Sequence, residues 1–243
     1  MAALGRAFLI LEAFRLGEDG LSLAEIARRT GLYKSTILRL LVSLEEAGFT
    51  RRLPDGRYSI GPEPLRLAQI YQDSFRIRHV VYPILQNLCA ETGETASMYV
   101  RQNNSRVVLY RIEPDIALRF SIREGERYPL DAGASSKIFL AFSEPYAKKS
   151  GLTRERLWSV SYGERVPGTA SVSTPIFGVT QDLQGVFSIS GPRDRFSDQD
   201  MKAACRSLLK ASARASAALG GDASVFRRSL ALLENQNFPP DTY

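Results

Sequence analysis

Residues 21–58 read LSLAEIARRTGLYKSTILRLLVSLEEAGFTRRLPDGRY, and this stretch decides the fold of the first third of the chain. Ser22, followed three residues on by Glu25, is a capping-box pattern that starts a helix at Leu23. Leu23, Ile26 and Ala27 lie at i, i+3 and i+4 and give that helix one apolar face. Thr30-Gly31 ends it, because glycine accepts the left-handed conformation that closes a helix. A second helix is expected from Lys34 to Ala47, with Ile37, Leu41 and Leu44 as its buried stripe and Leu38 and Leu40 widening it. Lys34, Ser35, Thr36, Arg39 and Ser43 then face outward, mostly near the N-terminal end, from which the second helix of a helix-turn-helix reads bases. Gly48 stops the helix. Phe49 to Leu53 alternate as a strand, Pro54-Asp55-Gly56 is a turn, and Arg57-Tyr58-Ser59-Ile60 returns.

The pattern predicts a winged helix-turn-helix whose partner is double-stranded DNA. Small hydroxyls suit phosphate and base contacts, and Arg39 suits guanine. Arg51, Arg52 and Arg57 on the hairpin would hold phosphates without reading sequence. The expected contact set is Ser22, Tyr33, Lys34, Ser35, Thr36, Arg39, Ser43, Arg51, Arg52 and Arg57. A capped helix pair alone also occurs inside ordinary bundles; the basic wing directly after it favours DNA.

The chain has 243 residues, enough for two domains, and an ordinary composition of 44% hydrophobic and 24% charged residues. Its net charge of +6 agrees with a polyanionic partner. Cys89 and Cys205 fit no metal spacing and read as buried thiols in a cytoplasmic protein. Neither a membrane span nor a signal peptide is expected. The lone histidine, His79, reads as a surface or capping residue. No catalytic, cofactor or metal motif is present: there is no phosphate-binding glycine loop, no Gly-x-Ser-x-Gly elbow and no His/Cys cluster.

Around this core, Leu4 to Leu16 reads as an apolar helix, either winged-helix core or also a surface for a partner subunit. The expected domains are residues 1–63, a linker helix over 64–79, and a second domain over 80–243. A helix is expected from Val80 to Glu91, with Pro83 near its start. From Glu94 the apolar period changes from 3.6 to 2. ETASMYVRQ, RVVLYRIE and ALRFSIRE are three candidate strands. Asp131 to Ser136 leads into a helix from Lys137 to Phe142. A basic helical piece, KKSGLTRERLWSV, precedes two further strands, TASVSTPIF and LQGVFSISG. Ser197 with Asp200 caps a long helix ending at Gly220-Gly221, and Val225 to Glu234 forms one more. The second domain is therefore α+β, an antiparallel sheet flanked by helices.

Gly133-Ala134-Ser135 sits where a loop enters a helix, a place whose backbone N–H groups favour an anion. Ser188 and Ser190 share one strand face, and Ser171 and Ser173 share another. Together they would form a small polar site; the same spacing also suits solvent-facing serines and a plain turn at Gly133.

At this point the residues resemble a known family. SLAEIARRTGLYKSTILRLLVSLEEAGFTRR with RYSIGPEPLRLA, then GERYPLDAGASSKIFLAF, GERVPGTASVSTPIF and GVFSISGPRDRFS, in this order, are similar to IclR-type transcriptional regulators over nearly the whole length. The resemblance implies a winged helix, a linker helix and a GAF-like effector-binding domain. It also implies a homodimer or homotetramer on a two-fold-symmetric operator, and a small-molecule effector, frequently an organic acid or aromatic compound. By the same match Gly133 and Ala134 would give backbone amides to the effector, and Ser161, Ser171, Ser188 and Ser190 would line the pocket beside Ser135. The chain departs from the family between Phe142 and Tyr162, where it is shorter than usual. Two other readings stand beside the regulator: a small-molecule-processing enzyme with an appended helix pair, and a pure dimerisation module.

Overall fold

The computed structural model of the protein describes residues 3–15, 17–74, 77–115, 122–143 and 156–235. The chain divides into two compact units, Met1–Arg76 and Ile77–Tyr243.

In the first unit the helices are α1 (Ala3–Glu12), α2 (Leu23–Thr30), α3 (Lys34–Glu46) and α4 (Glu63–Ser74), with the strands β1 (Thr50–Arg52) and β2 (Tyr58–Ile60) between α3 and α4. α1 stops at Glu12, short of the expected end at Leu16, which lies outside the described residues. Just past its end, Arg29 Nη1 donates to Ala13 O at 2.8 Å, while Nη1 and Nη2 hold Glu18 and Nε holds Glu25. At α2 the Ser22 hydroxyl accepts from Glu25 N, and Gly31 closes the helix at φ 70°. Only half of the expected capping box forms, because the Glu25 carboxylate turns along the helix to Arg28 and Arg29 instead of back to Ser22.

α3 buries Ile37 and Leu41. Leu38, expected to widen that stripe, is 44% exposed: it lies about 100° around the helix from Ile37, off the buried face. The wing pairs Thr50 with Ile60 and Arg52 with Tyr58. Arg57, expected in the returning strand, belongs to the turn, its carbonyl accepting from Leu53 N at 2.7 Å. A third segment joins the wing unannounced by the sequence, since Leu21 and Tyr58 exchange two backbone hydrogen bonds of 2.8 Å each. Ile10, Ala13, Leu21, Ile26, Ile37, Leu41 and Tyr58 form the core of this unit.

The second unit opens with α5 (Ile77–Thr92), three residues before the expected start, so Pro83 lies inside the helix rather than near its beginning. His79 on it is exposed. β3 (Thr95–Gln102), β4 (Ser105–Ile112), β5 (Arg127–Pro129), β6 (Ser159–Tyr162), β7 (Thr169–Phe177) and β8 (Leu183–Pro192) form an antiparallel sheet of order β5-β4-β3-β8-β7-β6. β6 corrects the expectation that Ser159 and Val160 end a helical piece; the rest of that piece up to Glu155, and most of the expected strand ALRFSIRE, lie outside the described residues. α6 (Ala134–Ala141) starts three residues earlier than expected, so Ala134 and Ser135 are helical and Gly133 is the cap residue. α7 (Asp198–Ala218) carries the full Ser197–Asp200 capping box, and α8 (Val225–Asn235) follows.

The two faces of the sheet do different work. Ala96, Met98, Val172, Ile176, Phe187 and Ile189 join Leu85 and Leu88 of α5 and Leu208 and Leu209 of α7 in the main core. Tyr99, Val108 and Val186 on the opposite face pack on Ile138 and Phe139 of α6. Strand side chains alternate in period 2, so the serines between the main-core residues are turned to the α6 face. Cys89 and Cys205 are buried free thiols, and burial pushes the Cys205 thiol far up.

Candidate functional site

The outward surface of α3 is polar at its start. Tyr33 is the N-cap residue, makes no side-chain cap hydrogen bond, and is 85% exposed. Lys34, Ser35, Arg39 and Ser43 are exposed and Thr36 is half-buried. Leu38 and Val42, one turn apart on the same side, are exposed too, and sequence reasoning missed them by placing Leu38 in the core and passing over Val42. Ser22 Oγ accepts from Glu25 N at the cap of α2, a role that uses one of its lone pairs and not its O–H.

On the wing, Arg51 Nε donates to Ser59 Oγ at 3.0 Å and Arg52 lies over the Tyr58 ring, 5.8 Å from its centroid. Arg57 is bound to Asp55 through both its backbone N–H and its Nε, at 3.0 and 2.6 Å. Those hydrogen bonds, the backbone one first, hold the Asp55 carboxyl below its usual range. Among the described residues, the hairpin therefore carries two arginines without a carboxylate partner and one that shares its charge with Asp55.

The second unit brings the predicted serines together by register. Ser161 pairs with Ser171 and Ser171 with Ser190, while Ser159 pairs with Ser173 and Ser173 with Ser188. Ser188 in turn pairs with Ser97 on β3, and Ser190 with Thr95. Two rows of four hydroxyls thus cross four strands on the α6 face. The Ser173 hydroxyl donates to Ser188 at 3.0 Å, whereas Ser190 Oγ is buried with no partner among the described residues.

A cavity of about 40 Å³ opens between this face and the start of α6. Gly133, Ala134, Ser135, Ser161, Ser171, Ser188 and Ser190 all line it. They come from a loop, a helix and three strands, and none is left out. Gly133 has φ 95°, a conformation that favours glycine. Its N–H is engaged within the chain, donating to Glu164 Oε2 at 3.1 Å, while the other carboxylate oxygen of Glu164 is bound by Lys137 Nζ. The N–H groups of Ala134 and Ser135 belong to the first helical turn, which has no intrahelical acceptor for them.

Sequence reasoning missed Tyr99, Arg106, Arg165 and Thr169, which line the same cavity. Arg106 is 3% exposed and lies over the Tyr99 and Tyr128 rings, at 5.7 and 5.8 Å from their centroids. Burial pulls its guanidinium below the usual arginine value. Arg165 lies over Tyr128 at 4.2 Å, and burial, with the hydrogen bond to Glu126, pushes the Tyr128 phenol up to about 12. The signal for Arg106 was available: it alternates onto the same strand face as Val108, between small and apolar neighbours. Among the described residues no cluster of three or more His, Cys, Asp or Glu could hold a metal ion, and no helix is long and apolar enough to cross a membrane.

A winged helix with an exposed polar helix, followed by a sheet module with a hydroxyl-lined cavity, is the architecture of a DNA-binding regulator. The chain matches the IclR helix-turn-helix domain over residues 3–54. It matches the C-terminal domain of bacterial IclR transcriptional regulators over 69–152 and 148–217, two pieces that meet inside the stretch read as short. It is 30% identical to the HTH-type transcriptional regulator KipR of Bacillus subtilis over 208 residues, covering 75% of this chain and 83% of that one. An IclR regulator from Alicyclobacillus acidocaldarius superposes with TM-score 0.78 at 25% identity, over 90% of this chain and 98% of that one. An IclR homolog from Microbacterium hydrocarbonoxydans, solved with 4-hydroxybenzoate, shares the fold at TM-score 0.75 and 20% identity, over 90% and 99%. The chain belongs to the IclR family and is a DNA-binding transcriptional regulator. These matches are to regulators and lend no support to the enzyme reading.

Proposed function

We propose that the protein senses a small carboxylate or aromatic metabolite in the second unit and adjusts transcription through the first. The observation that carries this reading is the convergence of seven residues, chosen from sequence, on one cavity with an unsatisfied serine hydroxyl and first-turn amides at its wall. Gly133, engaged by Glu164, shapes the site by close approach; Ala134 and Ser135 offer the amides, and Ser161, Ser171, Ser188 and Ser190 the hydroxyls.

On the DNA side, Lys34, Ser35, Thr36, Arg39 and Ser43 face the major groove, with Tyr33 at the entry and Ser22 donating to a phosphate. Leu38 and Val42 give that surface apolar contacts of the kind that thymine methyl groups accept. Arg51, Arg52 and Arg57 hold the backbone. The operator has two-fold symmetry because the protein acts as a homodimer or a pair of dimers, and exposed Leu4 and Phe8 on α1 and Leu65 and Ile70 on α4 supply apolar surface for that association. It works without catalysis in the cytoplasm, where its operator lies.

Sequencing the sheared source DNA that the purified protein retains at ~150 mM salt tests the reading. A few discrete two-fold-symmetric sites are expected, and uniform retention would refute it. Effector and operator must also change each other's affinity by one common factor.

A further inference from the structure

The long helix α7 carries its cations as a stripe. Lys202, Arg206, Lys210 and Arg214 recur at every fourth residue, and from Met201 to Gly221 the sequence holds no aspartate or glutamate. Residues four apart on a helix are neighbours, so each of these cations has another beside it, an arrangement that weakens a helix unless something opposes it. The first half of the stripe is opposed. Arg206 Nε and Nη2 donate to Glu234 Oε1 and Oε2 of α8 at 2.7 and 3.0 Å, and Lys202 Nζ donates to Glu234 O at 3.3 Å. The second half is not. Lys210 and Arg214 are exposed, and among the described residues neither side chain makes a hydrogen bond or an ion pair. Glu234 acts on Lys210 only through space.

α8 adds a third cation to that half. Arg227 is exposed and likewise makes no ion pair among the described residues, with Asp222 acting on it through space. Lys210, Arg214 and Arg227 line one groove of about 540 Å³ between α7 and α8. Its floor is apolar, made by half-buried Ala213, Ala223 and Leu230 with buried Phe226. From Ser207 to Arg214 it follows α7 for about two turns. Glu91 of α5 is its one acidic residue, and that carboxylate already accepts from Ser207 Oγ at 2.6 Å. Long cationic side chains on a single helix face are ordinarily only solvated. Here they come from two helices and bracket apolar surface, so the groove presents charge and a contact floor together.

We propose that this groove is a docking site for a short acidic segment of another protein, which sets carboxylates against Lys210, Arg214 and Arg227 and an aromatic or branched aliphatic side chain on the floor between them. Charge complementarity selects the occupant. A nucleic-acid backbone would supply the charge but no apolar group for the floor, and a neutral apolar segment would leave the three cations unopposed. α7 packs on the opposite face of the sheet from α6 and the serine rows, so the inference does not depend on what the serine-lined cavity binds.

The test starts from a random peptide library of about twelve residues, three helical turns in length. The library is panned on the immobilised full chain in excess duplex DNA, which occupies α3 and the wing. Enriched peptides are then synthesised, labelled and titrated by fluorescence anisotropy. They are expected to be net acidic with at least one leucine, isoleucine, phenylalanine or tryptophan, and to bind more weakly as salt rises. Combined Lys210→Glu, Arg214→Glu and Arg227→Glu should weaken them at least tenfold, whereas Arg51→Ala with Arg52→Ala should leave them unchanged. Exchanging the peptide's acids for their amides, or its apolar residue for alanine, should also cost at least tenfold. If the charge reversals fail to fold by circular dichroism, Lys210→Gln, Arg214→Gln and Arg227→Gln replace them with the same expectation. No enrichment, enrichment of neutral or basic peptides, or acidic peptides that bind the charge-reversed protein like the wild type would overturn the inference. So would sedimentation showing that the same substitutions dissociate copies of this chain, which would make the groove a self-association surface.

Discussion

Gly61 sits where the wing turns into α4, and replacing it with alanine puts numbers on how tightly that joint is built. Its φ is ordinary, so the issue is space. A Cβ there would lie 2.2 Å from Gly48 O, 2.9 Å from Gly48 C and 3.2 Å from Thr50 O, all of them backbone atoms that cannot rotate away. Ordinary carbon contacts need about 3.5 Å, so the two segments must separate by about 1 Å. Two hydrogen bonds cross the joint, Gly61 N to Phe49 O at 2.9 Å and Glu63 N to Gly48 O at 3.0 Å. Neither keeps good geometry after such a shift. At about 0.5–1.5 kcal/mol each, their loss costs about 1–3 kcal/mol. A unit of this size has roughly 4–11 kcal/mol in total, from ~0.05–0.15 kcal/mol per residue, so Gly61→Ala remains folded but weakened. The wing arginines then move relative to α3, and affinity for all DNA sequences falls together. The chain offers its own control: its single tryptophan, Trp158, belongs to the second unit. In urea, the helical circular-dichroism transition of the first unit should move to lower denaturant while the Trp158 fluorescence transition stays. Unshifted circular dichroism together with unchanged DNA affinity from ~50 to ~200 mM salt would refute the argument.

Arg57→Ala should weaken binding to every sequence alike and reduce the salt slope by about one, whereas Asp55→Asn, which frees Arg57, should strengthen it; fluorescence anisotropy across a salt series checks both. Arg39→Ala should cost ~1–3 kcal/mol at the operator and relax base preference at one position, read by selection from a randomised site. Acid should destabilise the first unit through Glu25. The hydrogen bonds from Arg28 and Arg29 lower its carboxyl from 4.5 to about 2. A depressed native value gives stability that is present above pH 4.5 and is lost as pH falls toward 2. Melting curves over that window should show the loss, with a flatter profile in Glu25→Gln; identical profiles would exclude Glu25 as the sensitive group.

Local signals carried the helix-turn-helix almost whole. Ser22, Gly31 and the Ile26/Ile37/Leu41 pattern each act within a few residues of themselves, so their meaning is readable in one dimension. The serine rows were half-readable. Alternation put Ser188 with Ser190 and Ser171 with Ser173, but only register shows that one pair faces the other, and register depends on turns and bulges across the sheet. β6 was missed because Ser159 to Tyr162 is a short alternation behind a charged segment. Arg106 shares its strand face with Val108, a period-2 signal open to a sequence reader, but the cavity it lines exists only once α6 packs against the sheet. The contact just past α1 was equally out of local reach, since the guanidinium that binds Ala13 O comes from sixteen residues away.

The two hydroxyl rows have a consequence for descent. Serine, alanine, cysteine and threonine differ by an atom or two, and a strand position can exchange them without altering the ladder that holds it. The opposite face of the same sheet, close-packed on α5 and α7, has no such freedom. A duplicated gene can therefore change the lining of the cavity by a few single-codon steps on one side of the sheet while the other side keeps the protein folded throughout. Lineages that share this architecture at 20–30% identity would then be expected to differ most in what they detect and least in how they are built.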